Sequence, residues 1–155
     1  MNYTITQIED GILAMLRASA MKAYCHVFES WGGDVEELIA SGKLVAPACY
    51  VGFGGATLAE GTGKTQEAAG LFSIMLFARN LRSEAAARRG GPKPNEIGAY
   101  QMIEEARAAL HLSNLGLQID GGSAVNIRRL DVGTQFAAYA LDIAVEWMME
   151  SQEEG

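Results

Sequence analysis

The chain has 155 residues and a formal net charge of −7, with 49 % hydrophobic and 20 % charged residues. That is enough apolar material for a core without disulfides, and too much for a globally disordered chain. The acidic balance excludes a surface built to grip nucleic acid or anionic lipid, which needs clustered Lys and Arg. It still allows a protein past which DNA must slide without sticking.

One domain over residues 1–155 is expected, with 150–155 frayed. Cys25 and Cys49 are the only cysteines. Far apart and without a CxxC, they read as reduced, half-buried thiols of a cytoplasmic protein. The stretch Thr4-Ile5-Thr6-Gln7-Ile8-Glu9-Asp10 lacks the basic and apolar regions of a signal peptide. No apolar run reaches the ~18 residues of a membrane span.

In chain order, Ile5, Ile8, Ile12, Met15 and Leu16 recur at helical spacing and predict a helix over about residues 4–22. Thr6 with Glu9 fits a capping box, and Thr4 is the competing cap. Tyr24 to Trp31 is rich in aromatic and β-branched residues and predicts a strand. Asp34 caps a short helix through Leu38 and Ile39, closed by Gly42. Leu44 to Phe53 predicts a buried strand that starts at Pro47 or lies at an edge.

Residues 54–65 read as a glycine-rich loop. Gly70 to Asn80 reads as a strand, with a helix as the competitor. Ser83 caps a short helix to Arg89, and residues 90–95 form a break. Asn95 is expected to cap the strongest helix, with Ile97, Tyr100, Ile103, Ala106 and Leu110 as its apolar stripe. Val125 to Val132 is a strand. Residues 135–147 alternate with period two. Ala137, Tyr139, Leu141, Ile143, Val145 and Trp147 take the core side. Ala138, Ala140, Asp142, Ala144 and Glu146 take the other, more tolerant side. The expected class is α+β, a mostly antiparallel sheet with helices packed on one face.

Sequences that suggest chemistry fail on spacing. Gly61-Thr62-Gly63-Lys64-Thr65 lacks the glycine of a phosphate-binding loop, because Leu58 stands there, and a strand-like segment follows instead of a helix. Gly52-Phe53-Gly54-Gly55 has Thr57 where a dinucleotide fingerprint needs its third glycine. His26 and His111 have no companion ligands, so His111 reads as a helix-end residue. Glu36-Glu37 and Glu104-Glu105 are adjacent on helices and do not face each other. No catalytic, cofactor-binding or metal-binding residues are assigned, and no cofactor is expected. Arg79, Arg82, Arg88 and Arg89 form a basic cluster in an acidic chain and are the candidate subunit or partner interface.

The stretch Ala78 to Gly90, Ala-Arg-Asn-Leu-Arg-Ser-Glu-Ala-Ala-Ala-Arg-Arg-Gly, leads into Glu96-Ile97-Gly98-Ala99-Tyr100 and the helix to Leu110. Together they resemble the Mu-like phage and prophage family named after that phage's gene 37 product. The resemblance continues through Leu115-Gly116-Leu117, Arg128-Arg129-Leu130 and Ala138-Tyr139-Ala140-Leu141, and so covers almost the whole chain. The glycine-rich segment 54–65 departs from the family pattern.

The resemblance implies a virion morphogenesis protein with a tail-terminator-like α+β fold. It would complete the tail as a ring, six subunits by analogy, that caps the tail tube and prepares it for head joining. A head–tail connector adaptor is the alternative, and a small nucleotide-binding enzyme the distant third. The implied partners are further copies of the chain, tail tube or sheath subunits and head–tail connector proteins, with no membrane and no specific nucleic acid. The implied location is the bacterial host cytoplasm during assembly, then the virion tail.

Overall fold

The computed structural model describes residues 2–59, 63–79, 83–93, 96–132 and 136–150. Its frame is a five-stranded sheet of strands β1 (Phe28–Ser30), β2 (Ala48–Leu58), β3 (Thr65–Arg79), β4 (Ser123–Leu130) and β5 (Phe136–Glu150), in the order β1-β2-β3-β5-β4. All neighbours pair antiparallel except β1 with β2. That parallel pair needs a crossover, which α2 (Val35–Ala40) supplies. The other helices are α1 (Ile5–Arg17), α3 (Glu84–Arg89) and α4 (Ala99–Leu110), with a 3₁₀ turn at Ala20–Ala23.

The first helix is shorter than its periodicity suggests. Thr4 is the cap, accepting from the Gln7 amide while the Gln7 side chain returns to the Thr4 amide. The capping box is therefore Thr4 with Gln7, not Thr6 with Glu9. Ile8, Ile12 and Leu16 are fully buried, each contributing about 1.5–3 kcal/mol of burial. The expected strand Tyr24 to Trp31 shrinks to the three residues of β1, because its register with β2 covers only Phe28, Glu29 and Ser30. Likewise β2 begins only at Ala48, after a cis Ala46–Pro47 peptide.

The largest correction concerns 54–65. Gly54 to Leu58 continue β2, and β3 opens at Thr65. Ala56, Thr57 and Leu58 pair with Gly70, Ala69 and Ala68, with a bulge between Phe53 and Ala56 and Gly55 at φ +108°. Glycine weakens the strand signal without preventing cross-strand pairing. The following segment is a strand, resolving that alternative against a helix.

The strongest helix starts at Ala99 with Gly98 as an N-cap that makes no side-chain capping bond. Asn95 lies outside the described residues. A Cβ at Gly98 would run into the backbone of Gly90, Arg88 and Arg89, so a glycine lets α4 begin against the end of α3. The buried stripe is Ala99, Met102, Ile103, Ala106 and Leu110; Tyr100, expected within it, is 44 % exposed.

The helices α1, α3 and α4 pack on one face of the sheet, over Val51, Phe72, Ile74, Leu76, Leu141, Ile143 and Val145. Part of the other face is covered: Leu38 of α2 joins Ala48, Tyr50, Met75, Phe77, Ala138 and Ala140 in a second cluster, with Trp31, Val35, Leu44 and Ala46 packed against it. The expected tolerance of Ala140 therefore fails: it is 0 % exposed. Below this cluster the same face is open, with Leu71 and Met148 each 37 % exposed. The expected fraying falls on residues 151–155, outside the described range, whereas Glu150 still pairs with Thr65.

Candidate functional site

Polar side chains meet in the middle of the α2 face. Register places Gly52, Ser73, Asp142 and Asn126 side by side across β2, β3, β5 and β4. Asp142 is the one buried charged residue among the described residues. Its Oδ1 accepts from Ser73 Oγ at 2.7 Å, and its Oδ2 from Arg128 Nε at 3.1 Å and Asn126 Nδ2 at 3.2 Å. Burial raises the Asp142 pKa, but the hydrogen bonds from Ser73, Arg128 and Asn126, with the Arg128 charge, outweigh it and hold the carboxyl below its usual range.

A carboxylate so engaged is a poor base or nucleophile. What it does is hold Arg128 against the sheet, where the guanidinium also donates to Ser73 Oγ at 3.2 Å. Arg128 keeps nearly half its side-chain surface and borders a groove of about 310 Å³ with Trp31, Asp34, Ser73 and Met75.

Of the four arginines singled out from sequence, Arg79 stands apart from Arg88 and Arg89. Arg88 and Arg89 share the last turn of α3. Arg79 ends β3 opposite Phe136, on the face of Phe77 rather than that of α3. Arg82 lies outside the described residues. The structure supplies another member, Arg129 on β4, in register with Tyr139 on the helix face. Tyr139 stands edge-on to Tyr100, ring centroids 5.9 Å apart. Burial and a hydrogen bond shared with Tyr100 raise the Tyr139 pKa, and the charges of Arg88 and Arg129 oppose that rise. The result is a patch of two arginines and two tyrosines drawn from α3, α4, β4 and β5.

The opposite end of the sheet carries the opposite sign. A groove of about 540 Å³ lies between the loop after α4 and the ends of β3 and β5. Glu67, Asp120 and Glu146 line it, all exposed, together with Leu117, Ile119, Trp147 and Met148. The indole nitrogen of Trp147 is buried and has no partner among the described residues.

Other sequence candidates settle into local roles. Cys25 and Cys49 are fully buried free thiols rather than half-buried ones, and burial pushes both pKa values up. His111 accepts from the Ala124 amide through Nδ1 at 3.1 Å, tying the end of α4 to β4. Glu105 is not merely solvated, because it accepts from Tyr24 Oη at 2.8 Å. Of the phosphate-loop fragment, Gly61 and Thr62 lie outside the described residues, and Thr65 already belongs to β3. Among the described residues no group of three or more His, Cys, Asp or Glu could hold a metal ion. No helix in them is long and apolar enough to cross a membrane.

The architecture defines an α+β protein built on a mostly antiparallel five-stranded sheet. The family model described as Bacteriophage Mu, Gp37 matches residues 4–149, and the chain belongs to that family, one of phage structural and assembly proteins. No curated protein matches the chain.

Proposed function

We propose that the protein completes the phage tail: copies of the chain form a ring that caps the tail tube, stops further subunit addition and presents a surface for head joining. Family membership supports a role in virion assembly. The observation that carries the finer reading is the uncovered half of the sheet. Leu71 and Met148 on its open face, and Val125 and Ile127 on the edge strand β4, are 37–54 % exposed. Apolar side chains and strand edges gathered in this way call for protein partners. Contacts of one patch on a different patch of the next copy close into rings. Arg88 and Arg129 with Tyr100 and Tyr139 are the residue types enriched at such interfaces, so Arg88 and Arg89 remain interface candidates beside Arg129.

In this reading the protein acts in the host cytoplasm during assembly and stays in the virion tail, against tube or sheath subunits on one side and connector proteins on the other. An acidic lumen would leave DNA free to pass. Electron microscopy of purified tails carrying a tagged copy tests the proposal. Label confined to the head-proximal end of the tube is expected; label on the head connector of tailless heads would favour a connector adaptor instead.

A further inference from the structure

We infer that the contact between neighbouring copies joins the arginine–tyrosine patch of one subunit to the acidic groove of the next; this rests on the ring reading above. The two surfaces are opposite in charge. One presents Arg129, with Arg88 beside it and Tyr100 44 % exposed. The other is a groove walled by Leu117, Ile119 and Met148 and edged by Glu67, Asp120 and Glu146. Arginine stems and tyrosine rings fill such a groove with apolar surface while their polar ends meet the carboxylates.

The two surfaces lie apart on the subunit. Tyr139, in register with Arg129, and Glu146 are seven residues apart along β5, roughly 23 Å at the usual strand rise. Glu67 and Glu146 also project from the sheet face opposite to Tyr139 and Arg129, by the alternation along the strands. Trp147, Leu117 and Ile119 carry the groove round to the helix side as well. Each copy offers its basic end to one neighbour and its acidic groove to the other, which is the head-to-tail arrangement of a ring. The acidic groove is then spent on neighbouring protein, not on a cation.

Arg129 and Glu146 are exposed, so reversing either charge should leave the subunit folded, which thermal unfolding checks. Sedimentation of the purified protein, alone and bound to tails, reads assembly. R129E and E146R alone should each lose ring formation at least tenfold in concentration dependence. Mixing the two variants, or combining them in one chain, should restore it, because reversed charges face each other again. Rings that form normally from either single variant would overturn this pairing and leave the ring reading intact. The same holds if R129E and E146R assemble normally but lose binding to the tail tube, since the groove would then belong to the tube protein. Wild-type protein that is monomeric both free and on tails would overturn the ring reading itself, and this pairing with it.

Discussion

The indole of Trp147 occupies the space where residue 70 would carry a Cβ: a Cβ on Gly70 would stand 2.5 Å from Cζ3 and 2.6 Å from Cη2 of that ring. The ring is 3 % exposed and packs beside Phe72, centroids 6.1 Å apart, so it has little room to retreat. Phe53 lies against Phe72 in turn, at 5.1 Å. Gly70→Ala is expected to destabilise the protein by about 1–3 kcal/mol, the usual cost of overpacking. Gly32→Ala, where no atom lies within 4 Å of the added methyl, should be close to neutral. Thermal unfolding of the two variants makes the comparison, and equal midpoints would show that the aromatic layer yields freely.

Acid should weaken the sheet through Asp142. Its folded pKa is depressed, because the hydrogen bonds and the Arg128 charge outweigh the effect of burial. A depressed carboxylate contributes stability above its unfolded pKa of about 3.9, and that contribution is lost as pH falls through the folded value. Asp142→Asn should therefore cost about 1–3 kcal/mol near neutrality and should flatten the acid limb of the stability curve. Ser73→Ala, which removes one donor to the carboxylate, should act in the same direction and less strongly. Denaturant unfolding between pH 3 and pH 7 (about the window set by carboxylate titration) measures both. A variant whose stability loss is the same at both ends of that range would contradict the assignment.

Substitution of β5 separates its faces by coverage. Leu141 is 1 % exposed and Ala140 0 %. Leu141→Asp and Ala140→Asp should both prevent folding or cause aggregation, since each buries an unpaired charge. Ala144→Asp, on the same face but outside the second cluster, should be tolerated better, because that side chain is only half-buried. Soluble yield and circular dichroism of the three variants decide. A folded Ala140→Asp protein would mean that the cluster around Leu38 does not cover this part of the sheet.

That contrast also shows how far the sequence carries. The period of two in β5 and the helical stripe of α1 are legible because each element hides one side of itself from water. Periodicity says nothing about a second layer, so Ala140 looked like a solvent position: alanine is compatible with either environment. The segment 54–58 was hidden for a different reason. Its glycines lower strand propensity, and only the pairing with Ala68 to Gly70 makes it a strand.

The site was the least legible. Arg88 and Arg129 meet around Tyr139 through the order of β4, β5 and α3 in space, which no local pattern encodes. The acidic groove likewise gathers Glu67, Asp120 and Glu146 from three separate segments. A charged helix end such as Arg88-Arg89 could be flagged from sequence, but its neighbours could not.

Tail completion is tested most directly by removing the protein from an otherwise intact phage and measuring the particles by electron microscopy. Membership of a family of phage structural and assembly proteins and exposed sheet surface suited to partners support that role. Without the protein, heads should assemble and fill with DNA normally, beside tails that are irregular in length or unjoined. Complementation by the wild-type chain should restore joined particles, whereas R129E should not. Tails of normal length joined to full heads in the absence of the protein would contradict the account.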